Sequence, residues 1–390
     1  MNYRKYMNLK KIFLPVLFIL LGPFIHSAPI HSPAWGFSID LPVSYEFIGG
    51  NGRDRFSFAN AGGAHFDIIV YHEEGGTHYP SLAALVQDVQ RRLNNSGDAD
   101  SFQFRGRETY VIELDFSLFD AADRPSPMSG WAVAVELGNA PGPRPMLLAL
   151  AYGPAEKDLL VFHLSALNSI APEAGDRLAP GLISEFLYPR LTRVRVPIFG
   201  LGIEAEIFAE DAEGAQALID REFLLLYRYA ASPDWQAAWQ RFYRAIYRDS
   251  SYRLADIAFE IERKLKVPAG GNRDFAEQLL RWVQTFEYER DFEGSDFVNL
   301  VSAATEGRGD CDSRAMLWAL ILRQANIPSG IMVSRHFSHA MGLAELPGAG
   351  ARFEVNGRGF LVAETTANVS IGLIDQEKSA GEHWLGIIFE

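Results

Sequence analysis

The chain has a single cysteine, Cys311, in 390 residues. No intrachain disulfide is available, so a disulfide-stapled scaffold is excluded and the thiol is either an inert core group or one kept free for chemistry. Basic residues are also short, with 36 Lys and Arg against 49 Asp and Glu, which argues against nucleic acid and anionic membrane surfaces as partners. Internal repeats and low-complexity tracts are absent. What remains is a 48% hydrophobic composition, too apolar for wholesale disorder and spread over enough chain for two domains.

The N-terminus carries Arg4, Lys5, Lys10 and Lys11 ahead of an apolar run, 12–25, that Pro15, Gly22 and Pro23 interrupt. That run is too short and broken to span a bilayer comfortably, and it reads as a secretory signal over 1–28. His26 fits the small-x-small cleavage rule poorly, and an uncleaved N-terminal anchor is the alternative. Removal of 1–28 leaves 32 basic against 49 acidic residues, a net charge of −17. The expected location is secreted or periplasmic, without stable membrane insertion after signal removal.

Residues 29–190 alternate short β-type runs (36–41, 65–71, 109–116, 131–137, 146–152 and 159–164) with Gly- and Pro-rich turns. One amphipathic helix is expected over 81–93, and a second, short one near 179–186. The pattern predicts an α+β domain whose antiparallel sheet is covered on one side. It resembles, distantly, the PsbP-type α/β sandwich. Residues 191–205 alternate as a linker or edge strand. Helices are expected over 215–231, from Ser232 as a cap with Pro233 first to about 249, then 253–266 and 273–286. The second of these is rich in arginine and aromatics and reads as a packing helix with a solvated arginine face; glycan stacking there is the alternative.

The stretch 307–322 organises the rest. Asp310 suits the N-cap, Cys311 then opens a helix that is apolar nearly all round, and a sulfur at the positive end of the helix dipole is expected to favour thiolate. Strands follow at 330–334 and 341–346, then 352–355 and 358–363 flank the hairpin dipeptide Asn356–Gly357. A cysteine nucleophile needs a base and benefits from a group that fixes the imidazole. The sequence offers His336 or His339 as base and Glu364 as the orienting acid. All converge if the two strands are neighbours. Asp310 and Asp312 read as cap and first-turn charges rather than metal ligands, and no cofactor is called for.

Gly309-Asp310-Cys311-Asp312 with its apolar helix, Asn326-Ile327-Pro328, Ser338-His339-Ala340 and Glu364-Thr365-Thr366 together resemble the transglutaminase-like superfamily, a papain-like cysteine fold. Trp282 to Tyr288 is similar to the element that precedes the Cys loop in that family. The resemblance covers about 273–367 and implies that 206–390 forms a transglutaminase-like domain, an antiparallel sheet packed on the Cys helix with helices preceding it. It favours His339 over His336. Glu364 stands where most members have Asp, and Met341 where an aromatic is common. Gln284 or Tyr288 is a candidate for oxyanion stabilisation or support, beside the backbone N–H of Cys311. The implied activity is acyl transfer through a Cys311 thioester on a protein or peptide, including a cell-wall peptide. Peptidase or amidase action is the favoured form, with crosslinking transglutaminase or a non-catalytic scaffold as alternatives.

Overall fold

The computed structural model describes residues 29–75, 77–138, 144–267, 270–289 and 295–389. The expected signal segment 1–28 lies outside the described residues. Among the described residues no helix is long and apolar enough to cross a membrane.

The run Met146–Pro154 shows how the first half is built. Leu147, Ala149 and Ala151 enter one apolar core with Leu167, Leu182 and Ile183, whereas Met146, Leu148 and Leu150 enter another with Leu82, Leu85 and Val86. An uninterrupted apolar strand is what a sheet buried on both faces requires. The sheet has seven strands in the order Glu46–Gly50, Arg55–Ala59, His65–Tyr71, Met146–Pro154, Pro125–Glu136, Arg107–Phe119, Ala99–Phe104, and every neighbouring pair is antiparallel. Helix Leu82–Leu93, capped by the Ser81 side chain, covers one face. Helices Leu160–Asn168 and Leu182–Leu187 cover the other. The one-sided sheet expected from sequence is therefore corrected to a two-sided one. The expected strand 159–164 is helical, because a short apolar run has no period to distinguish a buried helix from a strand.

The second half is centred on helix Cys311–Gln324, which is buried from Ser313 to Leu322. It lies on a five-stranded sheet ordered Arg352–Val355, Arg358–Ala363, His339–Ala344, Ser329–Ser334, Leu385–Ile388, again antiparallel throughout. The last strand was not legible in the sequence. Gly342 is required at the contact: a Cβ there would stand 2.5 Å from Trp318 Cε3 of the helix. Met332, Met341, Phe360, Val362 and Trp384 form a small core on the opposite face. Asn356 and Gly357 both take positive φ, 52° and 75°, as the two-residue turn between these strands demands. Helices Asp211–Tyr227, Trp235–Arg253, Ala255–Leu265, Asn272–Val283 and Leu300–Glu306 complete this half.

Residues 191–205 are not a free linker. Arg193–Ile198 and Ile203–Phe208 form a two-stranded ribbon, pinned to the second half by Trp282 Nε1 donating to the Phe199 carbonyl at 2.7 Å. Helix Trp235–Arg253 begins two residues later than expected, with Asp234 rather than Ser232 at the cap position. Ser232 Oγ instead accepts from the Asp234 N–H at 3.1 Å just before it.

The arginine face of that helix is a docking face, which corrects the expectation of a solvated one. Arg241 donates to Glu222 Oε2 at 2.6 Å, Ser165 Oγ at 2.8 Å and the Asp40 carbonyl at 2.9 Å. Arg244 grips the Asp40 carboxylate at 2.9 and 3.0 Å. Arg248 donates to the carbonyls of Ala179, Asn168, Ser169 and Ile170. One helix thus carries the first half on its arginines and turns Trp239, Phe242 and Tyr243 toward the cleft of Cys311.

Candidate active site

The Cys311 loop is fixed before the helix begins. Gly307 ends helix Leu300–Glu306 in the left-handed region (φ 71°), where a Cβ would collide with the Phe199 ring at 2.2 Å. Arg308–Gly309 then pairs in parallel with Glu287–Tyr288. Buried Arg314 donates to the carbonyls of Gly309 at 3.0 Å and Phe286 at 2.7 Å, tying the loop to the end of helix Asn272–Val283. Asp310 is the N-cap, as expected: its Oδ1 accepts from the Ser313 N–H at 2.8 Å and the Ser313 hydroxyl at 2.5 Å. Cys311 is the first helical residue.

His339 and Glu364 meet. Strand His339–Ala344 is hydrogen-bonded to Arg358–Ala363 with Gly342 opposite Ala363, so His339 opens one strand beside the end of the other. His339 Nε2 lies 2.8 Å from Glu364 Oε2. With Nε2–H donating to the carboxylate, Nδ1 is the ring nitrogen that carries the lone pair. Thr366 donates its N–H and hydroxyl to the other carboxylate oxygen at 2.9 and 2.6 Å, and Lys378 Nζ stands 3.6 Å from Oε2. Burial works to raise the Glu364 carboxyl, but the His339 and Thr366 interactions outweigh it and hold it at about 2. The Trp384 ring stands edge-on to His339, centroids 6.3 Å apart; no signal in the sequence marked it.

Cys311 and His339 line the same cleft, of about 540 Å³, with Trp239, Phe242, Tyr243 and Tyr288 on its walls. The sulfur is not the ready thiolate that the helix position led us to expect. Cys311 is 6% exposed. Burial, then the carboxylates of Asp312 and Asp310, push the thiol well above its ordinary range, and the Ala340 backbone N–H opposes them only in part. A helix N-terminus is worth about 0.3–1 kcal/mol to an anion. Burial of the sulfur, with the two carboxylates beside it, exceeds that. The resting group is a thiol, with Sγ 3.7 Å from Asp312 Oδ2.

Asp312 is itself held by the Tyr243 hydroxyl, which donates to Oδ1 at 2.6 Å. Burial first, and then the charge of Asp312, keep that phenol protonated. Sequence reading missed Tyr243, because an aromatic on an amphipathic helix looks like core. Asp310 is pushed above the ordinary carboxyl range by burial and by Asp312.

The remaining candidates separate. Gln284 does not face the sulfur: its Nε2 donates to the carbonyls of Glu364 and Val369, both at 2.9 Å, which makes it a brace for the acid loop. Tyr288 is 50% exposed at the cleft with the Arg314 guanidinium 5.5 Å over its ring. His336 stands outside the cleft wall, stacked on His383 at 4.1 Å. Asp310, Cys311 and Asp312 offer ligand atoms within 4.8 Å of one another. Those carboxylates are already committed to Ser313, Tyr243 and the thiol, which suits a cap and a positioned charge better than a cation's shell.

No protein-family model matches this chain, and no curated protein matches it. Solved structures give slight likenesses. LpqN, involved in cell envelope biogenesis of Mycobacterium tuberculosis, is 12% identical over 36% of this chain and 85% of its own, with a TM-score of 0.26. Cyanobacterial PsbP (CyanoP) from Synechocystis sp. PCC 6803 is 11% identical over 40% and 98%, at 0.27. A protein of Bacteroides thetaiotaomicron is 10% identical over 57% and 76%, at 0.26. Likenesses this slight assign the chain to no family.

Proposed function

We propose that this is an exported cysteine-dependent acyl-transfer enzyme, its 206–389 portion a transglutaminase-like unit, acting as a peptidase or amidase. The observation that carries the reading is the 2.8 Å His339–Glu364 pair at the cleft that Cys311 also lines. His339 Nδ1 takes the thiol proton as sulfur attacks an amide carbonyl carbon, and the Cys311 N–H, which has no partner within its helix, receives the oxyanion. The C–N bond breaks, the leaving amine takes the proton from His339, and a thioester remains. Water attacks it with His339 as base, releasing the acid and restoring the thiol. Proton transfer concerted with attack suits a sulfur that rests protonated.

A second reading rests on that same protonated, buried sulfur: the unit is a scaffold without catalysis. p-Nitrophenyl acetate separates the two. Catalysis gives a burst of nitrophenolate and an acetyl adduct on Cys311, lost in Cys311→Ala and slowed at least about a hundredfold in His339→Ala. A wild-type protein that forms no adduct favours the scaffold. Mass spectrometry of peptides offered with and without a primary amine then distinguishes hydrolysis from transamidation.

A further inference from the structure

A second cavity, of about 550 Å³, lies between the two halves, on the arginine side of helix Trp235–Arg253. Four arginines line it, Arg177, Arg241, Arg244 and Arg248, in a chain with 49 acidic and only 36 basic residues. Two are accounted for: Arg241 pairs with Glu222 and Arg244 with Asp40. The other two differ. Four donations from Arg248 go to backbone carbonyls, which leaves one of the five guanidinium N–H groups over. Among the described residues neither Arg248 nor Arg177 forms an ion pair. Burial pulls the Arg248 pKa down to about 10, and Asp249, Asp40 and Asp176 offset this only partly. An incompletely compensated cation inside a cavity is relieved by an entering oxyanion. The wall also carries three carboxylates, each already paired: Glu222 with Arg241, Asp40 with Arg244 and Asp249 with Arg253. Its apolar part includes Ile39, Leu218 and the stacked rings of Tyr247 and Phe389, 4.5 Å apart.

We propose that this crevice is a binding site for an amphipathic anion, a carboxylate or phosphate head on an apolar body, with the head against Arg177 and Arg248. The chemistry recognised is an oxyanion joined to hydrocarbon. Neither half of such a ligand suffices alone.

Isothermal titration of the full chain tests this with decanoate and decyl phosphate below their micelle concentrations. Decanol supplies the body without charge, and inorganic phosphate the head without body. Both amphiphiles are expected to bind, with decanol and inorganic phosphate each at least about tenfold weaker, the difference one charge-assisted hydrogen bond makes. The ratio of the two amphiphile affinities identifies the preferred head. Arg177 is exposed, so Arg177→Ala and Arg177→Glu leave the core intact; the first is expected to weaken binding about tenfold and the second to abolish it. Equal affinity for decanol and decanoate, an unchanged affinity in Arg177→Glu, or no binding of either amphiphile overturns the proposal.

Discussion

The Tyr243 hydroxyl and the Asp312 carboxylate are 2.6 Å apart, and the second oxygen of that carboxylate stands 3.7 Å from Cys311 Sγ. The residue that follows the candidate nucleophile therefore holds a negative charge beside it, and a phenol on a different helix holds that charge in place. Burial first, and then this charge, raise the thiol where a helix N-terminus alone would lower it.

Asp312→Asn removes the nearer charge and keeps the shape. The Cys311 thiol then falls toward its ordinary range, and iodoacetamide alkylation at neutral pH is expected to quicken about tenfold, one decade for each pKa unit recovered. Pseudo-first-order rates across a pH series give the result directly. A rate profile identical to wild type means that Asp312 does not hold the proton on the sulfur.

Tyr243→Phe removes the donor and leaves Asp312 buried without it. A hydrogen bond to a charged group contributes about 1.5–3 kcal/mol, so the urea midpoint is expected to fall by that equivalent. Alkylation of Cys311 slows as well, because the carboxylate charge is less compensated. A stability loss without slower alkylation limits Tyr243 to packing.

Much of this site was legible. Asp310 as cap and Cys311 at the first helical position follow from a local signal, a turn before an apolar helix. The meeting of His339 with Glu364 is expected from sequence only if their two strands are neighbours, and the choice of His339 over His336 comes from the family resemblance. What was hidden depended on contacts between distant segments. Tyr243 reaches Asp312 across 69 residues, and Arg241 reaches the Asp40 carbonyl across 201; no periodicity carries that information. The sign of the Cys311 shift was hidden for the same reason. Helix position is local, whereas desolvation belongs to the packed state. The run at 159–164 failed differently, since a short run apolar at every position but His163 fits either period.

Glu364 makes acid stability a probe of the pair. Its folded pKa, about 2, lies below the ordinary 4.5, so its contribution is fully present above the ordinary value and is lost as pH falls through the folded one. Thermal midpoints of wild type are expected to decline between about pH 5 and pH 2 by more than those of Glu364→Gln. At neutral pH the same substitution is expected to slow acylation of Cys311 while the fold persists, because Gln no longer stabilises the imidazolium. Matching acid limbs in the two proteins sink the assignment of this charge to Glu364.

Gly342→Ala tests how closely the Cys311 helix sits on its sheet. The added methyl meets Trp318 ring atoms at 2.5 and 2.7 Å, and overpacking of this kind costs about 1–3 kcal/mol. Chemical denaturation should register that loss. If the helix shifts to relieve it, alkylation of Cys311 changes too, which links the packing to the site.

Arg241 and Glu222 are the test of how the halves are joined. Both are buried, at 2.6 Å, and burial alone would oppose the charge on each. Opposite charge and the hydrogen bonds between them outweigh it, keeping Arg241 above its ordinary value and Glu222 below its own. Arg241→Ala leaves Glu222 buried beside only Arg221 and Ser165, and removing one partner of a buried pair costs about 3–5 kcal/mol. Arg241→Met with Glu222→Leu removes both charges and keeps much of the volume. That double variant is expected to unfold at a higher urea concentration than either single one, with a coupling energy of about 1–3 kcal/mol from the cycle. Additive losses mean that the two side chains act independently and that the helix is held to the first half by its carbonyl contacts through Arg248 instead.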